Sequence, residues 1–269
     1  MLNLRKYGQQ PYEVAVIHGG PGASGEMAPV ASHLSQDQSV LEPLQTQSSF
    51  VEQLEELKAV LENNAQLPLV LIGYSYGSLL SFVFTSLYPT FVQKLILVSS
   101  SVFEDHYASE IMHTRLQRMG EEERAQVEHL FQQINDPQVV NKDAVFSQLG
   151  ELISQADSYD SLSFPNDLLN PSYELYTKVQ KEVHALRASG KLLDYGKNIH
   201  CPVVAIHGDY DPHPYDGIQI PLARTLKDFQ FILLEKCGHH PWLERHAKNK
   251  FYEVLEREIT SHPDANSNT

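Results

Sequence analysis

Three residues that lie far apart in the chain could together perform acyl transfer. Ser75 is at the centre of the segment GYSYG, Asp211 ends the segment HGDYD, and His239 ends the segment CGH. A serine hydroxyl is a weak nucleophile near neutral pH, so it needs an imidazole within hydrogen-bond reach to take its proton. A carboxylate must then accept the other imidazole N–H and stabilise the cation that forms. We therefore predict a catalytic triad of Ser75, His239 and Asp211.

The residues on either side of Ser75 have the pattern that a nucleophile turn requires. Residues 67–72 form a short apolar run typical of a buried strand, and residues 78–87 are apolar over a length that suits a helix. A serine on a tight turn between strand and helix presents its hydroxyl above the sheet. Gly73 and Gly77 fit this geometry, because a Cβ at either position would crowd the strand against the helix. The pattern favours a nucleophile over an incidental serine in a glycine-rich turn.

Both the base and the acid have a competitor nearby in the sequence. His240 follows His239 directly, but it precedes Pro241 and the predicted last helix, so we expect it to point elsewhere. Asp209 and Asp211 follow the same apolar run. Asp211 lies deeper in the loop, whereas the position of Asp209 suits a residue that caps the turn. We therefore prefer His239 and Asp211.

The oxyanion that forms during acyl transfer needs N–H donors aimed at it. The residue after the nucleophile, Tyr76, should supply one backbone donor. The second should come from the loop HGGPG, residues 18–22, in which Gly20 is the first choice and Gly19 the alternative. Pro21 cannot donate, because it has no N–H. A glycine-rich loop could also bind phosphate, but the G-x-G-x-x-G and Walker spacings are absent.

The elements that must position these residues alternate between strand and helix. Helical stretches separate apolar runs rich in β-branched residues, at 14–17, 69–72, 95–98, 203–206 and 231–234. Such alternation predicts an α/β fold with a mostly parallel sheet and helices on both faces. Apolar residues from Phe50 to Leu61 lie on one helix face, and Ser49 with Glu52 forms a capping box at its start. A last helix is predicted behind Pro241.

The strand signal disappears between residues 102 and 199, where apolar residues keep helical spacing. We predict an all-helical cap insert here. If it enters and leaves at the carboxyl ends of the strands, it lies over Ser75 and shapes the pocket. The predicted domains are a core of residues 1–101 and 200–261, a cap of residues 102–199, and a disordered tail of residues 262–269.

The insert and the residues that follow Asp211 offer candidates for contact with substrate, and the sequence does not choose among them. A peptidase that takes free N-termini needs carboxylates to hold the substrate ammonium. Candidates for that role are Glu104, Glu110, Glu151, Glu174 and Glu182, although most such glutamates face water. Aromatic residues that could line a pocket or fill the core of the cap are Tyr107, Tyr159, Phe164, Tyr173 and Tyr176. His213, between two prolines, could reach the pocket mouth, but an exposed loop is the simpler interpretation.

Composition restricts the partners and the location. The 269 residues suit one large α/β domain, and a net charge of −14 disfavours nucleic acid or an anionic membrane surface. Cys201 precedes one strand and Cys237 follows another, so the thiols should lie about 15–20 Å apart, too far for a disulfide. Free thiols and the lack of a signal-peptide pattern predict a cytoplasmic location. The chain has no H-E-x-x-H or paired-cysteine spacing, so we expect neither metal nor cofactor.

Four segments, taken together, resemble the α/β-hydrolase superfamily across nearly the whole chain: the loop at 18–22, the turn at 73–78, the acid loop at 207–211, and Gly238 with His239. The HGGPG loop and the G-x-S-x-G-S turn most resemble the proline iminopeptidase group, whose members carry a helical cap. Two positions depart from that group. Residues 40–49 read VLEPLQTQSS where an Asp-Gln-Arg-Gly segment is usual, and Tyr76 replaces a tryptophan.

The resemblance implies a serine hydrolase that forms an acyl-enzyme with a small, largely apolar ester or amide. An iminopeptidase-like peptidase and a carboxylesterase are both compatible with the motifs. A third possibility, from another class, is a protein that only binds a small molecule on a hydrolase scaffold.

Overall fold

A computed structural model describes residues 3–162 and 172–261. Phe164 and the predicted tail, residues 262–269, lie outside these ranges. The described residues form a seven-stranded sheet in the order β1-β3-β2-β4-β5-β6-β7. The strands are β1 (Leu4–Tyr7), β2 (Val14–Ile17), β3 (Val40–Pro43), β4 (Leu69–Tyr74), β5 (Val92–Val98), β6 (Val203–Gly208) and β7 (Phe229–Leu234). Only β1 is antiparallel to its neighbour, which confirms the predicted mostly parallel sheet.

Helices cover both faces of the sheet. They are α1 (Ala28–Leu34), α2 (Phe50–Asn64), α3 (Tyr76–Leu87), α4 (Asp105–Arg118), α5 (Glu121–Asn135), α6 (Lys142–Ala156), α7 (Tyr173–Ala188), α8 (Lys191–Asp194), α9 (Asp216–Thr225) and α10 (Lys248–Thr260). One buried cluster joins α2, α3 and α9 to one face of the sheet, and a second joins α1 and α10 to the other. Along β4, Leu71 belongs to the first cluster and Ile72 to the second. A strand buried on both faces has to be apolar at every position, as this one is.

The helix starts show where local signals decide the structure. Ser49 caps α2 as predicted, because its side chain accepts the Glu52 N–H at 3.2 Å and its hydroxyl bonds the Glu52 carboxylate at 2.9 Å. The predicted start of the last helix behind Pro241 is wrong. A short 3₁₀ turn (Pro241–Leu243) occupies that position, and α10 begins at Lys248.

The described part of the predicted cap is helical, from α4 to α8. Helices α4 and α7 pack against the main core through residues such as Ile111 and Val179, whereas α5 and α6 share a smaller cluster that includes Leu130 and Leu149. The chain leaves the carboxyl end of β5 and returns to the amino end of β6. The condition that both ends of the insert meet the sheet at carboxyl ends of strands is therefore met only at β5, since a parallel strand has to be entered at its amino end.

None of the described helices combines the length and the apolar character needed to cross a bilayer. Cys201 and Cys237 are both free, as expected from their positions at the two ends of neighbouring parallel strands.

The close approach of α3 to the sheet generates a stability prediction. A Cβ on Gly77 would lie well inside van der Waals contact of the Ile17 and His18 carbonyl oxygens, which are backbone atoms that cannot step aside. Gly77→Ala should therefore lower the free energy of unfolding by about 1–3 kcal/mol, measured by urea denaturation.

Gly150 provides the matched control for this substitution. It lies exposed in α6, and a Cβ there meets nothing within 4 Å. Gly150→Ala should leave the protein as stable or raise its stability by up to about 1 kcal/mol. Equal losses in the two variants would contradict the steric account of the turn.

Candidate active site

Ser75 occupies the corner between β4 and α3, with φ 51° and ψ −117°. This backbone conformation is rare for a residue with a side chain and costs on the order of 1–3 kcal/mol. The turn is held by the Ser75 N–H, which donates to the Val98 carbonyl at 3.0 Å. Only glycine fits at position 73, because a Cβ there would collide with the Gly77 backbone. The predicted strand, sharp turn and helix are all present, and Ser75 keeps 9 % of its surface exposed.

The structure brings the three predicted catalytic residues together. His239 Nε2 lies 3.0 Å from Ser75 Oγ, and His239 Nδ1 lies 2.7 Å from Asp211 Oδ2. Asp211 follows β6 and His239 follows β7, so both loops rise at the carboxyl edge of the sheet beside the Ser75 turn. An ionised carboxylate only accepts, so His239 carries its proton on Nδ1 and presents an unprotonated Nε2 to the serine.

Burial and charge shift the protonation equilibria of this group. Burial raises the pKa of the Asp211 carboxyl, but the neighbouring His239, His207 and His213 outweigh burial and hold that pKa well below its ordinary value. Burial lowers the pKa of His239, and the charge of Asp211 opposes this shift only in part. The site therefore favours an ionised Asp211 beside a neutral His239, which is the state in which an imidazole can accept a proton.

His213 is part of this group, so its interpretation as an exposed loop residue is wrong. It is only 8 % exposed, its Nδ1 lies 2.9 Å from Asp211 Oδ1, and its ring stacks on His239 with centroids 4.5 Å apart. The His213 N–H also donates to the same carboxylate, closing a turn two residues long. Its position two residues after Asp211 was the available sequence signal. Asp211, His213 and His239 could also ligate a metal ion, but hydrogen bonds between the carboxylate and both imidazoles already use these groups.

Neither competitor joins the triad. As expected, His240 points elsewhere: its Nε2 atom lies 3.5 Å from Glu26 Oε1, and Glu26 outweighs burial and leaves the pKa of His240 raised. Asp209 was expected to cap its own turn, but its side chain accepts the Cys237 N–H at 3.1 Å and so joins the loop after β6 to the loop after β7.

The backbone donors predicted for an oxyanion lie at the Ser75 turn and in the HGGPG loop. Tyr76 begins α3 directly after Ser75, and its side chain is buried, with the hydroxyl donating to Gln53 at 2.7 Å. The Gly19 N–H donates to Glu26 at 3.1 Å, which favours Gly20 over Gly19 as the second donor. Gly20 has φ 99°, a conformation suited to glycine. Sequence analysis missed Glu26, because no local pattern marks a carboxylate that bonds backbone several residues away.

A buried carboxylate joins the helical insert to the loop that carries the base. Glu244 is fully buried, and its carboxylate accepts the N–H groups of Tyr159, Asp160 and Gly238 at 2.8–2.9 Å. The His239 N–H donates to the carbonyl of Asp157, the residue that ends α6. The end of α6 and the backbone around His239 are therefore one hydrogen-bonded unit. No sequence pattern marks Glu244 as part of the site.

A cavity of about 230 Å³ lies between the insert and the acid loop. Its wall includes Tyr176, Gln180 and His213, and the Gln180 side chain reaches the Gly20 carbonyl at 3.4 Å. The five glutamates considered as ammonium ligands do not belong to the described wall: Glu104 pairs with Arg224, Glu174 with Lys178, Glu182 accepts the Phe50 N–H, and Glu110 and Glu151 are exposed.

The Glu244 carboxylate generates a prediction about stability and site geometry. In Glu244→Gln, an amide NH₂ replaces one of the accepting oxygens and leaves at least one of the three N–H groups without its acceptor. We expect a loss of about 1–3 kcal/mol of unfolding free energy and slower covalent labelling of Ser75 by a fluorophosphonate. Glu253→Gln, on the exposed face of α10, should change neither quantity appreciably. A Glu244→Gln protein that matches wild type in both measurements would contradict the proposed link.

Comparison with known proteins agrees with this architecture. The family model of the alpha/beta hydrolase fold matches residues 14–245. No curated protein sequence matches the chain significantly. Similar solved structures include a putative lipase from Acinetobacter baumannii AYE, with 20% identity, 96% of this chain and 88% of that chain covered, and a TM-score of 0.63. Proline iminopeptidase from Mycobacterium smegmatis has 15% identity, coverage of 95% and 93%, and a TM-score of 0.63.

A third similar structure is the enol-lactonase from Burkholderia xenovorans LB400, with 14% identity, coverage of 96% of both chains and a TM-score of 0.62. At such identities these structures establish a shared fold, so the finer resemblance to proline iminopeptidases stays a prediction. The family match, which spans most of the chain, confirms the superfamily resemblance. The chain belongs to the alpha/beta hydrolase fold family.

Proposed function

We propose that this protein is a serine hydrolase that cleaves a small ester or amide through an acyl-enzyme. One observation carries the proposal: Ser75 Oγ, His239 Nε2 and Nδ1, and the Asp211 carboxylate form a continuous hydrogen-bonded chain with separations of 3.0 and 2.7 Å. Such a chain is the arrangement that activates a hydroxyl at neutral pH.

In the proposed reaction, Ser75 Oγ attacks the acyl carbon while His239 Nε2 takes the hydroxyl proton. Asp211 stabilises the resulting imidazolium, and the N–H groups of Gly20 and Tyr76 bind the oxyanion. His239 then gives the proton to the leaving group, and the acyl group stays on Ser75. A water molecule, activated by the same imidazole, attacks the ester and releases the acid. These steps need no cofactor or metal ion.

We further propose that helices α4 to α7 act as a cap, within the insert of residues 102–199, and bound a small substrate. The cavity favours an esterase over an aminopeptidase, because its described wall has no carboxylate to hold an ammonium group. Similar structures include a putative lipase and an enol-lactonase as well as a proline iminopeptidase. Short p-nitrophenyl esters compared with aminoacyl arylamides would separate the two activities.

The proposed partner is this small-molecule substrate, and neither nucleic acid nor a membrane surface is expected to bind a chain with a net charge of −14. A cytoplasmic location is part of the proposal, because Cys201 and Cys237 are free thiols.

Removing the nucleophile tests the mechanism and the rival, non-catalytic function together. Ser75→Ala should abolish fluorophosphonate labelling and reduce ester turnover by on the order of a thousandfold or more, measured with p-nitrophenyl esters. Ser86→Ala, in the helix that follows Ser75, is the matched control, because the Ser86 hydroxyl is buried and finds no hydrogen-bond partner among the described residues. Wild-type protein that resists the probe, yet binds a small molecule tightly, would support the non-catalytic alternative.

The shifted pKa of His239 predicts the pH dependence of turnover. Only neutral His239 can take the serine proton, and burial lowers its pKa. The acidic limb of the kcat/KM profile should therefore have its midpoint below the ordinary histidine value of about 6.5. The profile is measured from about pH 4 to pH 9 with a neutral ester, and circular dichroism checks folding at each pH. A midpoint clearly above 6.5 would show that the neutral imidazole is not the form that this site favours.

A further inference from the structure

The wall of the cavity beside the triad carries positive groups. Arg115 on α4 and Arg187 on α7 both line it, together with His213, which stacks on the catalytic His239. Among the described wall residues there is no aspartate or glutamate. Its volume of about 230 Å³ lies below the range of about 300–1,000 Å³ typical of sites for drug-sized ligands. The cavity therefore suits a small ligand.

Each arginine is paired with a carboxylate that does not belong to the described wall. The Arg115 Nε and Nη2 atoms donate to the two Asp157 oxygens at 2.7 and 2.6 Å. Arg187 Nε donates to Asp105 at 3.2 Å. The Arg187 side chain is 14 % exposed, whereas Asp105 is 47 % exposed and so faces mainly water. In both ion pairs the arginine lines the cavity and its carboxylate partner does not.

Among the described residues, the hydrogen bonds to these carboxylates leave further N–H donors on both guanidinium groups. A guanidinium has five N–H bonds, and the contacts to Asp157 and Asp105 use two of them on Arg115 and one on Arg187. The Arg115–Asp157 pair has a structural role, because it ties α4 to the end of α6. The single hydrogen bond from Arg187 to the half-exposed Asp105 gives Arg187 no comparable structural role.

We propose that the cavity binds a carboxylate group of the substrate, so that the enzyme selects small esters bearing a negative charge. This inference rests on the proposed serine hydrolase function. The planar fork of arginine matches the two oxygens of a carboxylate. The side chains of Arg115 and Arg187 are only 16 % and 14 % exposed, so water screens their charge less than it would at the surface. A substrate with an ammonium group meets the opposite condition, because the two arginines repel it and the described part of the wall offers no carboxylate to bind it. Selectivity for charge thus follows from the cavity wall, and acyl transfer from the triad.

The test compares substrates that differ in charge and match in size. 4-Nitrophenyl hydrogen glutarate, 4-nitrophenyl hexanoate and 4-nitrophenyl 5-aminopentanoate place a negative, neutral or positive group on the acyl chain. 4-(Hexanoyloxy)benzoate and its methyl ester place a negative or neutral group on the leaving side. In at least one series kcat/KM should be about tenfold or more higher for the anion than for its neutral partner. Equal or lower values for the anion in both series would overturn the proposal.

Substitution of Arg187 connects this selectivity to the cavity. In Arg187→Gln, the ratio of kcat/KM for the anionic and neutral esters should fall about tenfold, and Arg187→Lys should restore part of it. A ratio within one variant cancels any general loss of activity, so partial misfolding does not imitate the effect. Arg224→Gln is the matched control, because Arg224 pairs with Glu104 on the surface and does not line the cavity. An Arg187→Gln ratio equal to that of wild type would contradict the assignment.

Binding to the Ser75→Ala protein separates this inference from the proposed function. The amide analogues, glutaric acid monoanilide and hexananilide, are titrated into that variant by calorimetry. Tighter binding of the anionic anilide, lost on adding Arg187→Gln, supports the carboxylate site whether or not the serine is catalytic. Equal binding of the two anilides, with turnover of neutral esters by the wild type, would refute the site and leave the serine hydrolase function standing.

Discussion

The bond between Asp211 and His239 is the interaction on which the rest of the site depends. A buried carboxylate is costly unless hydrogen bonds and opposite charge compensate for lost water. Here the imidazoles of His239 and His213 and the backbone N–H of His213 all contact it. The loop after β6 is therefore built around one anion, and that anion fixes the orientation of the imidazole beside Ser75. Without it, the serine, the turn and the sheet could keep their places and still lack an aligned base.

The helical insert is hydrogen-bonded to the loop after β7, which carries His239. The Glu244 carboxylate accepts the N–H of Tyr159 in the insert and the N–H of Gly238 beside the base. The carbonyl of Asp157 accepts the His239 N–H. The Asp157 side chain meanwhile holds Arg115 on the cavity wall. Asp157 therefore holds both the backbone of the catalytic base and a side chain of the cavity wall. A displacement of the end of α6 would disturb proton transfer and substrate contact together.

Short sequence motifs were enough to predict the turn at Ser75, the acid and the base, because each is defined by a few neighbouring residues at the end of a buried strand. Strands β1 and β3 were missed, since each has only four residues and includes charge or proline. Glu26, Glu244 and the role of His213 were missed for another reason. Their importance comes from backbone groups and rings that the fold brings near them. A sequence pattern carries little trace of such long-range contacts, whereas a helix cap such as Ser49 is entirely local.

Helices α5 and α6 bury residues such as Leu130 and Leu149 in a cluster separate from the core of the sheet, whereas Ile111 of α4 and Val179 of α7 belong to the main core. The two halves of the insert therefore have different packing constraints. Apolar substitutions in the cluster of α5 and α6 need to preserve only that cluster, provided that the end of α6 keeps its hydrogen bonds to the loop of His239. In the inner pair, a change that adapts the enzyme to a new ligand also alters the packing of the sheet, so diversification there has to proceed through compensated, stepwise replacements.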